Sequence, residues 1–228
     1  MLSRRLETLA SYIERTDILG DIGTDHGFIP IYLVENNVTS QIIASDLNEG
    51  PLENAKEELS QKGLLDSVDL RLGGGLEPYK PGEINTALIA GMGGTLIKNI
   101  LNDGKEHLPY LKKLILQPMH GVVELRRFLL NNGYKIVDED LIYENNIYYE
   151  IIVAKRGKSQ AYEHIDLEFG FHMLKKDTDI SKAYLQLKTD KLQEIVDNIA
   201  RHGSSASQEK VKELRDTIEA YKEVIECL

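Results

Sequence analysis

Asp21, Asp25, His26 and Asp46 are the residues whose types and spacing invite chemistry. The first three fall in DIGTDHGFIPIYL, residues 21–33, directly after the apolar Ile18 and Leu19. An apolar run that turns on Gly23 and Gly27 and then looks helical is a strand-to-helix crossing. Such a crossing presents backbone N–H groups and the positive end of a helix at the top of a sheet. Glycine lets the backbone come close to a ligand there. Pro30 does no harm if the helix starts near His26, because first-turn N–H groups have no intrahelical partner. A plain tight turn has the same letters, so the stretch does not decide alone. A second apolar run, QIIASD, ends on Asp46 about twenty residues after the glycine turn, where an acid commonly holds ribose hydroxyls. Asn48 then either assists the ribose or caps the helix that opens at Gly50–Pro51.

Two further strand ends join these. TALIAGMGGTLI carries the permissive turn Ala90-Gly91-Met92-Gly93-Gly94 into another helix, and LILQPM brings Gln117 and Pro118 to the same rim. Open parallel sheets bind ligands where the strand order reverses, with backbone approaching from both sides.

The elements that must position these residues alternate. DILGDI, QIIASD, VDLRL, TALIA and KLILQ read as strands; GFIPIYLVENN, PLENAKEELSQKG, TLIKNILNDGKEHL and VVELRRFLLNNG read as helices between and after them. Buried strands alternating with helices predict a parallel sheet covered on both faces. Gly63 and Gly133 stand where helix-ending glycines belong, and Pro51 suits a first helical turn. YKIVDEDLIY and IYYEIIVAKRG, separated by Glu144, Asn145 and Asn146, predict an antiparallel hairpin. Five parallel strands closed by a hairpin outline a class I methyltransferase, a Rossmann-like α/β fold.

After Gly157 the chain turns charged and helical. Val211, Leu214, Ile218, Tyr221 and Ile225 follow 3-4-3-4 spacing; Leu185, Leu192, Ile195 and Ile199 do so upstream, interrupted by Lys188. Gly203 stops one helix, and Ser205 with Gln208 forms a capping box for the next. An antiparallel helical coiled-coil domain over 158–228 is expected behind a catalytic domain over 1–157.

Composition bounds the rest. The 228 residues are 42% hydrophobic, enough for one well-buried domain plus an appendage. Cys227 stands alone, so no internal disulfide forms, and no cysteine–histidine cluster has zinc spacing. MLSRRLETLASYI lacks the apolar core of a signal peptide, and no run is long enough to span a bilayer. A soluble cytoplasmic protein without membrane or metal partners, and a monomer, is expected. The net charge of -10 argues mildly against nucleic acid, although a local basic stripe can suffice.

LSRRL, DIGTDHGFIPIYL, DLNEGPLENAK, IAGMGGTLI, LILQP and YYEIIVAKRG, in that order from residue 2 to about 157, together resemble the bacterial tRNA (adenine(22)-N1)-methyltransferases. That family modifies adenine 22 of the D-arm with S-adenosylmethionine, and its helical C-terminal domain is thought to help hold tRNA. The resemblance implies cofactor contacts at Asp21, Gly23, Thr24, Gly27, Asp46, Leu47 and Asn48, and at Gly74, Ala90, Gly91 and Met92. It implies catalytic roles for Asp25 and His26, facing the target base at the methionine end. Arg5, Gly93, Gly94, Gln117, Pro118, Lys175 and Lys176 become substrate contacts. Two positions depart from the family pattern. Gly74 replaces an acid or amide that reaches the adenine, leaving that ring to the backbone, and Met119 replaces an asparagine. A methyltransferase for a small molecule or protein, and a non-catalytic Rossmann module that recruits a partner through its helices, are the competing readings.

Overall fold

The computed structural model describes residues 2–159, 164–202 and 208–228. Gly203 and Ser205, the expected stop and cap between the last two helices, lie outside the described residues. The chain forms two compact units, Met1–Tyr162 and Glu163–Leu228.

In the first unit, strands β1 (Leu19–Ile22), β2 (Ile42–Asp46), β3 (Asp69–Leu72), β4 (Thr86–Met92) and β5 (Lys113–Pro118) run parallel. β6 (Tyr134–Glu144) and β7 (Ile147–Arg156) form the hairpin, and β7 pairs antiparallel with β5. The order β3-β2-β1-β4-β5-β7-β6 reverses between β1 and β4, which opens a crevice at their carboxyl ends. Side chains alternate across the sheet as the two-residue period requires. Leu114, Leu116, Ile152 and Ala154 enter one core, while Ile115, Ile151 and Val153 enter the other. Helices α1 (Arg4–Ser11), α2 (Phe28–Glu35) and α3 (Glu49–Gln61) cover the second of these faces. α4 (Gly94–Asp103) and α5 (Val122–Asn131) cover the first.

Several boundaries differ from the sequence reading, each for a local reason. α2 starts at Phe28 rather than near His26, because His26 and Gly27 both take positive φ, 60° and 64°. Pro30 still falls in the first turn, so it displaces no hydrogen bond. β4 does not stop at Ala90. It continues to Met92 through a register shift against β5, with Gly91 at φ 75° supplying the bulge. α4 ends at Asp103 instead of running to Leu108: Gly104 caps it, and a side chain there would meet Leu76 at 2.6 Å. Gly63 and Gly133 both follow helix ends at positive φ, as helix-stop glycines do. The hairpin turn is two residues, Asn145 and Asn146, both at positive φ, and Glu144 already pairs with Ile147.

In the second unit, α6 (His164–Phe169) and a single 3-10 turn precede α7 (Thr178–His202) and α8 (Gln208–Cys227). α7 and α8 pack against each other. The buried row on α8 holds Ile218 and Tyr221 as expected. On α7 it differs by one residue. Val196 is buried whereas Ile195 is 46% exposed, and Thr189, not Lys188, fills the polar step between Leu185 and Leu192. Thr189 is tolerated there because its hydroxyl donates to the Leu185 carbonyl. Among the described residues no helix is long and apolar enough to cross a membrane.

Candidate active site

The carboxyl ends of β1, β2, β3 and β4 surround a cavity of about 770 Å³. Gly23, Asp46, Leu47, Asn48, Gly74 and Met92 line it. The loop after β1 is tied to its neighbour: the N–H groups of Gly23 and Thr24 both donate to the Ser45 carbonyl at 2.8 Å. Gly23 takes the left-handed φ of 80° that favours glycine, and the flexible end of Met92, Cε, lies where its side chain would be. At the end of β2, the Asp46 carboxylate accepts the backbone N–H of Asn48 at 2.8 Å. That fixes the loop and leaves the second carboxylate oxygen available to a ligand. Asn48 is the N-terminal cap residue of α3 by position, yet its side chain makes no capping bond.

Asp21 lies buried beneath this loop. Burial pushes its carboxyl up to about 6, and the nearby Asp46 carboxylate acts in the same direction. Thr24 Oγ1 is buried without a well-formed hydrogen bond, although it lies close enough to Asp21 to favour the charged carboxylate slightly. A cationic ligand would relieve both strains.

Asp25 and His26 stand on the turn that leaves the cavity wall at Gly23. Both are solvent-exposed, with His26 Nε2 3.4 Å from Asp25 Oδ1. The left-handed backbone at His26 turns the imidazole onto Phe28, with ring centroids 5.1 Å apart and planes 9° from parallel. Phe28 itself is 41% exposed. An acid, an imidazole and an open aromatic face therefore share one rigid corner. Gly27, the left-handed residue before α2, has room only for the Ala55 side chain of α3 beside it.

The β4 and β5 ends are knitted together. Met119 N–H donates to the Met92 carbonyl at 2.8 Å, and Gly94 N–H donates to the His120 carbonyl at 2.7 Å. Gln117, fully buried, accepts the Gly91 N–H at 3.2 Å and Arg5 Nη1 at 2.8 Å on the same amide oxygen. Its amide nitrogen donates to the Pro118 carbonyl at 3.1 Å, so the side chain is locked in one orientation. Arg5 also lies over the Tyr149 ring at 5.1 Å. The chain thus brings Arg5, Gly91, Gln117 and Pro118 into one cluster, with Ala90 as the residue before the bulge. Lys175 and Lys176 belong to the other compact unit.

Sequence reasoning missed part of the site. Leu96, Ile100, Asp103 and His107 line the cavity from α4 and the turn beyond it, so side chains as well as the glycine backbone at 73–75 face the space. The four-residue spacing of Leu96 and Ile100 was a readable helical stripe. His120 was missed as well. Its ring rests on Gly93, where an added Cβ would lie 2.6 Å from the imidazole. Nothing local in the sequence marks that contact.

The residues present fit a sulfonium cofactor. Asp46 opens onto the cavity with the buried Asp21 behind its wall, glycine-built loops leave backbone exposed to it, and Leu47, Leu96 and Ile100 offer apolar surface for a ring. The profile of the tRNA (adenine(22)-N(1))-methyltransferase family, TrmK, matches residues 19–223. The chain belongs to this family. The Bacillus subtilis enzyme bearing that name is 37% identical over 232 residues, covering 99% of this chain and 97% of the relative. A Streptococcus pneumoniae putative tRNA (m1A22) methyltransferase, solved in complex with S-adenosyl-L-methionine, is 33% identical. It superposes with a TM-score of 0.89 over 99% of this chain and all of the other. Mycoplasma capricolum TrmK, solved with S-adenosyl-homocysteine, is 30% identical with a TM-score of 0.85, covering 99% of this chain and 98% of that one. Relatives in the TrmK family thus hold the cofactor and its product in the same fold.

Proposed function

We propose that this protein, as a TrmK-family methyltransferase, methylates N1 of adenine 22 in the D-arm of tRNA. Bound S-adenosylmethionine supplies an electrophilic methyl group. The chain's residues supply position and electrostatics. Asp46 holds the ribose hydroxyls, and Asp21, once ionised, balances cationic charge below the loop. Adenine N1 carries an in-plane lone pair, so no base must remove a proton before attack. What the reaction needs is alignment and tolerance of the positive charge that develops on the ring. Asp25 accepts a hydrogen bond from the adenine N6 amine and stabilises that charge, while His26 orients Asp25. Arg5, Gly93, Gly94, Gln117 and Pro118 form the rim that receives the base. Because N1 lies on the pairing edge, the adenine must leave its stack to reach them. Lys175 and Lys176 of the helical unit contact tRNA phosphates.

The observation that carries this reading is the corner at 23–28. One short turn joins a cavity-lining glycine to an exposed acid, an imidazole and an aromatic ring. The test is calorimetry of S-adenosylmethionine binding with and without unmodified tRNA, followed by mass analysis of the digested RNA. A methyl group on adenine 22 alone is the expected product. Cofactor binding with no methyl transfer would reduce the protein to a binding module, and transfer indifferent to RNA would make it a different methyltransferase.

A further inference from the structure

The hairpin reaches past the sheet it closes. β7 last pairs with β5 at Ile152, opposite Leu116, but continues pairing with β6 down to Ile147. Extending that register sets Glu150 level with Pro118. Tyr149, Tyr148 and Ile147 therefore project about 10 Å beyond the end of β5, at roughly 3.3 Å per residue. They project from the carboxyl edge of the sheet, the same edge that carries the loops at 21–28, 90–94 and 117–121.

Both faces of this arm are aromatic. Tyr149 lies on one face under Arg5. Tyr143 and Tyr148 are directly opposed across the ladder on the other, with centroids 4.5 Å apart and ring planes tilted by 39°. Tyr143 is 42% exposed, Ile147 is 43% exposed, and Tyr143 Oη donates to Asn146 Oδ1 at 3.1 Å, bracing the turn. No Lys or Arg occurs from residue 136 to 154, so the arm carries no cation for phosphates. Its acids are engaged within the protein. Glu139 and Glu150 pair with Arg126, Asp140 accepts the Tyr12 hydroxyl, and Glu144 accepts the Arg4 N–H. Aromatic rings at the mouth of an active site match the faces of bases.

We propose that the Tyr143–Tyr148 pair is a stacking platform for the nucleobase next to the target adenine. This rests on the reading of the protein as a tRNA methyltransferase. Extruding one base strips its neighbour of a stacking partner, and an aromatic side chain at the rim replaces it. Base–aromatic stacking is sequence-tolerant because every base presents a π-face, so the platform assists extrusion without selecting sequence.

The test uses the full-length protein and unmodified tRNA carrying 2-aminopurine, in separate preparations, at each neighbour of the target. Wild-type protein is expected to quench one of the two probes. Tyr143→Ala with Tyr148→Ala should abolish that quench and raise the KM for tRNA about tenfold or more. S-adenosylmethionine affinity should stay unchanged, and Tyr143→Phe with Tyr148→Phe should behave as wild type, since the ring is what acts. Tyr143→Ala alone, at the more open position, should give a smaller change of the same kind and serves if the double variant unfolds. Wild-type quench and KM in the double alanine variant would overturn the proposal. So would altered self-association with tRNA parameters intact, which would make the arm a protein contact. Because quenching is read without turnover, a wild type that transferred no methyl would defeat the proposed reaction while the quench still decided the arm.

Discussion

Asp21 is costly to ionise where it stands. Its carboxyl, ordinarily near 3.8, is pushed to about 6 by burial. The neutral acid is therefore the form the fold prefers. Its contribution to stability is fully present below about pH 3.8 and is lost as pH rises through 6, a loss of about 3 kcal/mol at 1.36 kcal/mol per pKa unit. Urea unfolding of the cofactor-free protein should show this as a difference: Asp21→Asn gains on wild type between pH 4 and 7. S-adenosylmethionine should bind wild type more weakly below pH 6 and release a proton on binding near it, and neither effect should survive in Asp21→Asn. The role proposed for Asp46 differs: charge-assisted bonds to the ribose. Asp46→Ala should weaken cofactor binding by about 1.5–3 kcal/mol in calorimetry, and unchanged affinity in a folded variant would remove the assignment. The role proposed for Asp25 belongs to the chemical step. Asp25→Asn should slow single-turnover methylation about 10²-fold with cofactor affinity nearly intact; equal losses in both would place Asp25 in the cofactor loop. Asp21 and Asp46 were legible as candidates because each sits at a strand end followed by a turn, and Asp25 because an acid interrupts the glycine turn. His120 and Asp103 were not, because their places depend on which loops the fold brings side by side.

α5 and the hairpin share a buried ionic knot. Arg126 bonds Glu139 and Glu150 at 2.8 Å each, and all three are buried. Burial alone would loosen the guanidinium's hold on its proton, but the two carboxylates outweigh it and raise its pKa above the usual value. Arg126→Met would strand two buried carboxylates and should cost about 3–5 kcal/mol in urea unfolding. Adding Glu139→Gln and Glu150→Gln should recover much of that. Alternating strands and helices made most elements readable, since buried β-branched runs and helix-stop glycines such as Gly63 and Gly133 are local signals. The exceptions are equally physical. Gly104 ends α4 inside a pattern that looks continuous, since only Leu76 pressing on it reveals why no side chain fits. On α7, Ile195 and Val196 are both apolar neighbours, and the partner helix decides which of them is buried. The length of the hairpin arm is another case, because a ladder's reach past its neighbour depends on register rather than composition.

The molecule divides its work between two units whose cores are separate. The cavity and its rim are built wholly from the first, so a chain truncated after Lys158 should fold and bind S-adenosylmethionine normally. Lys175, Lys176, Lys182, Lys188 and Lys191 cluster along one segment of the second, despite the net charge of -10. Such a segment can neutralise phosphates without reading bases; on that reading the truncated chain should lose most tRNA affinity, and full-length binding should weaken as salt rises. Full methylation by the truncated chain would reassign the helices to another partner. One detail of the rim bears on how the two macromolecules accommodate each other. The β4 and β5 loops are sewn by the Met119–Met92 and Gly94–His120 bonds, and Gly94 sits so close to the Gly121 carbonyl that no side chain fits. A receptacle that stiff has little compliance to offer, so the RNA must supply the deformation. Turnover should then follow the opening of the RNA helix itself. Substrates with weaker pairs flanking the target should react faster at low temperature, and that advantage should fade as warming opens the stronger helices too.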